Sequence, residues 1–375
     1  MTPSGPSPQG VAVIAANSGW NILNFRKPLV DALLGSGWRV IALAAEDGSG
    51  AQIRSLGAEF VPIAIDSSGT SVLRDARLLR DYRRFLRDVR PDVFLAFTIK
   101  PNIYGSLAAA GLGIRVVNNI SGLGSAFLRP GPLNAFVRGL YRLALRRSEC
   151  VFFQNPHDLE LFVAGRLVRP SLAKLVPGSG IDLEHFQPAD ERGSDGGRFR
   201  FLFVGRLLRD KGLVEYAEAA RLLRRQWPMA EFAILGSAGS DNPSAVPIAE
   251  VERWQAQGLV SYFGETDDVR PFIAQADCIV LPSYREGLPR SLLEAAAMGR
   301  PMIASDVPGC SAVVDHGKTG LLCAARSPQS LADAMDVMLR LDGAERTAMG
   351  RCARQKVEQE FDQALVVRAY QDVLR

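Results

Sequence analysis

Tyr284-Arg285-Glu286-Gly287-Leu288-Pro289-Arg290-Ser291-Leu292-Leu293-Glu294 follows the apolar run Cys278-Ile279-Val280-Leu281-Pro282 and leads into an alanine-rich stretch that ends at Met298. The apolar run is short and bounded by turn residues, which reads as a buried parallel strand. Leu292 to Met298 reads as a helix. Two carboxylates therefore flank a strand-to-helix turn, Glu286 in the loop and Glu294 in the helix. Pro289 suits a first helical turn, where its missing N–H would be unpaired anyway. A helix N-terminus offers free N–H groups and a positive dipole end, which favours phosphate. Such a turn can hold a diphosphate and present carboxylates to hydroxyl groups. Without its surroundings the pair reads equally well as a solvated helix charge and a loop charge, so the surroundings decide.

The chain of 375 residues exceeds the length at which a single core usually keeps growing, so two domains are expected. The net charge of +4 is too small to imply a nucleic-acid partner, and no aromatic stacking platform is evident. Five cysteines, Cys150, Cys278, Cys310, Cys323 and Cys352, lie mostly in apolar runs without a Cys-x-x-Cys. That usage points to reduced, buried thiols and a cytoplasmic setting. No apolar run approaches the roughly 18 to 20 residues that span a bilayer. Residues 1–10 are rich in Pro, Gly and Ser and lack a signal pattern, so a disordered lead-in is expected.

Short β-branched runs alternate with helical patterns, the signature of doubly wound parallel α/β sheets. In the first half the strands are expected at 11–16, 39–44, 60–65, 92–97, 115–119 and 150–154, with helices at 25–34, 73–89, 103–111 and 132–147. A fresh series follows at 199–204, 231–235, 260–263, 277–281, 301–305 and 320–323. The join falls at Pro177-Gly178-Ser179-Gly180, and 190–198 has linker composition. The expected domains are 11–178 and 179–355, each Rossmann-like, facing a central cleft, with one final helix at about 351–374. Ligands bind at the carboxyl ends of parallel strands, and the motifs sit there.

A second motif lies at such an end. Phe201-Leu202-Phe203-Val204-Gly205-Arg206 leads to Asp210-Lys211-Gly212 at a helix start. Gly205 permits close backbone approach, and Arg206 with Lys211 can neutralise a diphosphate leaving group. Leu235-Gly236-Ser237-Ala238-Gly239 is a third strand followed by a Gly-rich turn, which could equally be an ordinary turn.

The setting Arg-Glu-Gly-Leu-Pro…Leu-Leu-Glu-Ala, together with Gly-Arg-x4-Lys-Gly, resembles the donor site of retaining glycosyltransferase family 4, enzymes of the GT-B fold. The resemblance implies that Arg206 and Lys211 hold the donor phosphates, Glu286 contacts the donor sugar and Glu294 contacts the ribose. It places a nucleotide-facing loop at Gly236. It makes Arg285, Gly287, Leu288 and Pro289 part of the donor loop, with backbone N–H groups (Pro excepted) available to phosphate or sugar oxygens. No Asp-x-Asp, a frequent metal-binding sequence of the other main glycosyltransferase fold, occurs in the chain. The two cations stand in for a metal electrostatically, so metal-independent catalysis without a cofactor is expected.

The acceptor is expected on the first domain. Asn17-Ser18-Gly19-Trp20-Asn21, Thr98-Ile99-Lys100-Pro101-Asn102 and Asn118-Asn119-Ile120-Ser121-Gly122-Leu123-Gly124 follow strands. Gly19 remains from a loop that carries Gly-Gly in many family members. Ser121 stands where many members place a His, and His157, His185 and His316 do not fit that place. The loops resemble a subgroup that builds bacterial surface polysaccharides or protein-linked glycans on a polyprenyl diphosphate lipid. Lys100, Asn119 and Ser121 are then candidate acceptor contacts, Lys100 for the lipid diphosphate. Arg74, Arg77, Arg80, Arg83, Arg84, Arg87 and Arg90 crowd one helix, and Arg138, Arg142, Arg146 and Arg147 another. Basic amphipathic helices attract anionic lipid; alternatively these arginines are solvated and partly paired with Asp75, Asp81 and Asp88.

The reading that follows is a retaining hexosyltransferase on the inner face of the cytoplasmic membrane. It would move a sugar, favoured as a UDP-linked N-acetylhexosamine, to a polyprenyl-diphosphate-linked sugar. A nucleotide-sugar epimerase of the same fold is the nearest alternative, and the sparse histidines count against it. A sugar-nucleotide-binding protein without turnover is the other.

Overall fold

The computed structural model describes residues 9–66, 71–122, 131–188, 198–239 and 242–375. Residues 1–8 of the expected lead-in, 190–197 of the expected linker, Leu123 and Gly124 lie outside them. The chain divides into two compact units, Met1–Ser179 with Ala364–Arg375, and Gly180–Gln363.

The first unit is a parallel sheet of β1 (Val11–Ala15), β2 (Arg39–Ala44), β3 (Glu59–Pro62), β4 (Val93–Phe97), β5 (Arg115–Ile120), β6 (Cys150–Phe153) and β7 (Ala173–Leu175). Their order is β3-β2-β1-β4-β5-β6-β7. Six of these strands match the sequence expectation to within a few residues. The short edge strand β7 was missed because two of its three residues are exposed, so it has no apolar run to announce it. Strand β4 is buried along its whole length and alternates between two faces. Leu95 and Phe97 join one core with Ala12 and Ile14. Phe94 and Ala96 join another with Val13 and Ala15, covered by Leu78, Tyr82 and Leu86 of α4 (Val72–Val89). A π-helical turn, Pro101–Gly105, continues into α5 (Ser106–Ala110), and both α4 and α6 (Pro132–Ala144) pack against it. The stretch expected as a loop at Asn17–Asn21 opens a helix instead, Gly19–Phe25, because Ser18 Oγ accepts from Asn21 N at 3.2 Å and caps it.

The second unit is a parallel sheet of β8 (Phe199–Val204), β9 (Ala230–Leu235), β10 (Ser261–Tyr262), β11 (Cys278–Leu281), β12 (Met302–Ser305) and β13 (Gly320–Cys323), in the order β10-β9-β8-β11-β12-β13. All pairings described in both sheets are parallel. Strand order reverses at β1/β4 in the first unit and at β8/β11 in the second, which is where open α/β sheets bind ligands.

The single final helix expected at 351–374 is two helices, Gly343–Glu360 and Gln363–Leu374. A capping box between Asp342 and Glu345 starts the earlier one. The break needs no Gly or Pro. Phe361 is buried in the second unit's core, and Asp362 bridges Ile181, with Ile181 N donating to Phe361 O at 2.9 Å and Gln363 N to Ile181 O at 3.1 Å. The last helix then buries Val366, Tyr370 and Leu374, four residues apart, in the first unit's core. The Tyr370 ring lies 4.7 Å from Phe152, and its hydroxyl accepts from Asn119 Nδ2 at 3.0 Å.

A polar network underlies β5. Asn118 Nδ2 donates to Asn102 Oδ1 and Ser106 Oγ, and Asn118 Oδ1 accepts from Ser148 Oγ at 2.6 Å. All four residues are buried. Truncation would leave several buried polar atoms unpaired, each costing roughly 1–3 kcal/mol. Asn118→Ala is therefore expected to destabilise the first unit by about 3 kcal/mol. Hydrogen exchange of the β4 and β5 amides under urea reports it, and unchanged protection would contradict it.

Candidate functional site

The reversal point of the second sheet gathers the residues that the two motifs supplied. Strand β8 ends at Val204, immediately before Gly205 and Arg206; β11 ends at Leu281, immediately before Pro282 and Ser283. Three contacts fasten the loops that follow. Tyr284 N donates to Asp210 O at 2.9 Å. Gly212, at φ +73°, presses on Pro282 so closely that a Cβ there would lie 2.1 Å from the Pro282 carbonyl oxygen. The Tyr284 hydroxyl donates to Glu215 Oε1 at 2.7 Å, and burial, then that hydrogen bond, push the phenol up to about 12. The Arg326 guanidinium lies 4.6 Å from the centre of the Tyr284 ring.

This frame sets Lys211 beside Glu286, with Nζ 2.5 Å from Oε1. Ser283 Oγ donates to the same Oε1 at 2.6 Å. A lysine ammonium carries three N–H donors, so the contact with Glu286 leaves others for oxygens nearby. Arg206 is exposed, and its side chain has no hydrogen-bond or ion-pair partner among the described residues. Gly236 packs on the Gly205 carbonyl, its N–H donating to Gly264 O, so it joins β8's end to the β9 loop.

Arg285, Gly287 and Leu288 are partly buried, and Pro289 is buried. Pro289 is the N-cap of α11 (Arg290–Ala297) rather than a residue of its first turn, because its ψ of 115° is extended. Glu294 lies within α11 and is only 8% exposed. Burial pushes its carboxyl up, and Arg290, donating from Nε to Oε1 at 2.8 Å, works against that shift. Among the described residues the buried carboxylate thus has one side-chain partner, on one oxygen.

Two further residues escaped the sequence reading. Ser283 has no motif signal of its own. Gly309, in α12 (Pro308–Val313), supports the loop from below: a Cβ there would lie 2.5 Å from the Glu286 carbonyl oxygen and 2.7 Å from that of Gly287. Its Pro-Gly sequence marks a turn but not what the turn touches.

In the first unit the reversal point lies at β1 and β4. Asn17 N donates to Thr98 Oγ1 at 3.1 Å, which links the first two loops. Thr98 has φ +63°, an outlier for a β-branched residue. Gly19 is buried, packed against Asp47 and Ser49. Ser121 is partly buried. Two expected acceptor contacts have partners within the unit. Asn119 is fully buried, with Nδ2 on Tyr370 and Oδ1 accepting from Gln154 Nε2 at 3.2 Å, so its side chain holds the sheet to the last helix. Lys100, its side chain 11% exposed, donates to Asp75 Oδ1 at 2.6 Å, while the Tyr104 hydroxyl takes Asp75 Oδ2 at 2.7 Å. Asp75 is thereby spent on Lys100 rather than on the helix arginines.

The support from Gly309 has a direct consequence. Gly309→Ala must displace the Glu286–Gly287 backbone, and misplacement on the ångström scale costs up to about 100-fold in rate. Turnover is expected to fall by 10- to 100-fold on this basis, with Tm lowered by only a few degrees. Steady-state kinetics and thermal unfolding check the two together; unchanged turnover would show that the loop does not depend on this contact.

Comparison with known proteins gives a family to both halves. The model for glycosyl transferases group 1 matches residues 198–340, and that for the glycosyl transferase 4-like domain matches residues 27–179. The N,N'-diacetylbacillosaminyl-diphospho-undecaprenol alpha-1,3-N-acetylgalactosaminyltransferase of Campylobacter jejuni is 25% identical over 95% of this chain and 96% of its own. The UDP-Gal:alpha-D-GlcNAc-diphosphoundecaprenol alpha-1,3-galactosyltransferase of Escherichia coli is 25% identical over 75% of this chain and 74% of its own. Anabaena HepE, crystallised with UDP and glucose, superposes with a TM-score of 0.79 at 17% identity, covering 98% of this chain and 99% of that one. With two parallel-sheet α/β units and both family models matched, the chain belongs to glycosyltransferase family 4, of the GT-B fold.

Proposed function

We propose that this glycosyltransferase moves a hexose, favoured as an N-acetylhexosamine, from a UDP-linked donor to a polyprenyl-diphosphate-linked sugar, with retention at the anomeric carbon. The observation that carries the reading is the Lys211–Glu286 contact at the β8/β11 reversal, with exposed Arg206 in the loop that follows β8. Lys211 has N–H donors to share between a carboxylate and a phosphate, so a sugar hydroxyl at Glu286 and a diphosphate at Lys211 would be neighbours. Arg206 adds a planar donor set suited to a second phosphate. Glu294 offers its unshared oxygen to the ribose hydroxyls. Charge that develops on the departing diphosphate is then stabilised by these two cations. No side chain need act as base if the departing phosphate oxygen takes the acceptor's proton. These cations make a metal unnecessary for charge neutralisation. The relatives from Campylobacter jejuni and Escherichia coli, named for transfer onto undecaprenyl-diphosphate sugars, support the acceptor class.

The acceptor lipid also gives a reason for the first unit's surface. A helix that follows a parallel strand starts at the strands' carboxyl ends, so the first turns of α4 and α6 lie on that rim. Leu73 there is 84% exposed and Phe136 54%, with Val72 and Leu133 beside them. Arg77, Arg83, Arg84 and Arg87 are exposed along α4 without an ion-pair partner among the described residues, whereas Arg74 pairs with Asp66. Apolar tips with unpaired cations behind them suit an anionic bilayer surface, which would hold the enzyme at the inner face of the cytoplasmic membrane. Among the described residues no helix is long and apolar enough to cross one.

Two measurements test this. UDP-, GDP- and ADP-sugars are incubated with a polyprenyl-diphosphate sugar, with and without EDTA. Product from one UDP-sugar, unaffected by EDTA and cut at least about 100-fold by Glu286→Gln, is expected; undiminished activity of that variant would remove the site. In vesicle sedimentation, binding to phosphatidylglycerol but not to phosphatidylcholine is expected, weakened severalfold by Leu73→Asp with Phe136→Asp. Equal binding by the double variant would remove the membrane surface.

A further inference from the structure

We propose that Ser283 is a positioning residue that aims Glu286 at the donor sugar. The proposal deepens the reading of Glu286 given above and rests on it.

Ser283 is the second residue beyond β11 and is fully buried. Its hydroxyl donates to Glu286 Oε1 at 2.6 Å, and that same oxygen takes Lys211 Nζ at 2.5 Å. Glu286 Oε2 has no partner among the described residues. Two donors thus pin one oxygen and leave the other in a fixed direction. Without a pin, a glutamate has three side-chain torsions to scatter that oxygen.

The two donors are not equivalent. Lys211 stands on a four-carbon stem and is a mobile point charge. A diphosphate oxygen competes with Glu286 for it, so its grip on the carboxylate weakens when the donor binds. The serine hydroxyl has one torsion and no solvent to turn to. Its backbone is fixed on both sides, by the Tyr284 N–Asp210 O hydrogen bond and by Pro282 against Gly212. Gly309 holds the carboxylate's own backbone. Ser283 therefore keeps Glu286 in place while Lys211 attends to phosphate. A serine that merely filled space would have no bearing on how the sugar is handled relative to the nucleotide.

The test separates sugar from nucleotide. Ser283→Ala, Ser283→Thr and Ser283→Cys are compared with wild type and with Glu286→Gln. UDP alone is the probe for nucleotide binding. UDP-N-acetylgalactosamine or UDP-galactose, whichever the wild type turns over, is the probe for the sugar. Ser283→Ala is expected to lower kcat/KM for the sugar donor about 10-fold, a difference of about 1.4 kcal/mol, with the Kd for UDP within twofold of wild type. Ser283→Thr, which keeps the hydroxyl, restores most of the loss, and Ser283→Cys, a weak donor, stands between. Full activity of Ser283→Ala beside an inactive Glu286→Gln would overturn the proposal and leave the function intact. Parallel loss of UDP binding and turnover would assign Ser283 a structural role and overturn it too. A fully active Glu286→Gln would remove the sugar contact itself, and the proposal with it.

Discussion

The approach of Gly212 to Pro282 is the constraint on which the site depends. Bare Cα against carbonyl, with Tyr284 N bonded to Asp210 O, it ties the loop after β8 to the loop after β11. These loops are far apart in sequence and adjacent only because the sheet order reverses between their strands. A parallel sheet splays its connections to opposite faces at such a point and opens a crevice. Here the crevice is braced from the inside, and the brace sets an ammonium against a carboxylate. The ammonium and the buried serine hydroxyl meet on one carboxylate oxygen, above these backbone contacts. Preorganisation of this kind makes electrostatic stabilisation effective, since little reorganisation is left for the moment of reaction.

The first unit repeats the plan with different chemistry. Its reversal point is tied by the Asn17 N–Thr98 Oγ1 bond, and the tie costs backbone strain, about 1–3 kcal/mol for a residue in a sparsely populated region. The π-helical turn that follows, Pro101–Gly105, sits between the tie and the buried asparagine network. Strain and irregular helix cluster at one strand end, where functional sites keep such features. This unit presents a closed cluster, Lys100–Asp75–Tyr104, and the exposed apolar tips of α4 and α6.

What could be read from the sequence follows from how local each signal is. The Glu286–Glu294 turn and the Gly205–Lys211 turn are strand–loop–helix units, so their residues announce themselves within a dozen positions. Continuous apolar runs gave the strands to within a few residues, except where β7 had none. What the sequence leaves unread is long-range. Asn118 and Asn119 end a strand and looked like a ligand loop, yet alternation sends them to opposite faces of a sheet that is covered on both. Lys100 looked free because its partner Asp75 lies in a different helix. Gly309 and Ser283 carry no pattern, since what they touch is set by tertiary register. The final helix was read as continuous because Phe361-Asp362 is not a breaker; the helix is interrupted there because Phe361 belongs to one core and Val366 to the other.

The central claim, that Lys211 and Glu286 act as one unit on the donor, is tested most directly by a double-mutant cycle. kcat/KM is measured for Lys211→Ala, Glu286→Ala and the pair. If the account is right, the double variant is scarcely worse than the poorer single variant, a strong departure from additivity of the kind seen for groups that function together. Losses that simply add would contradict it and show two independent residues that happen to lie 2.5 Å apart.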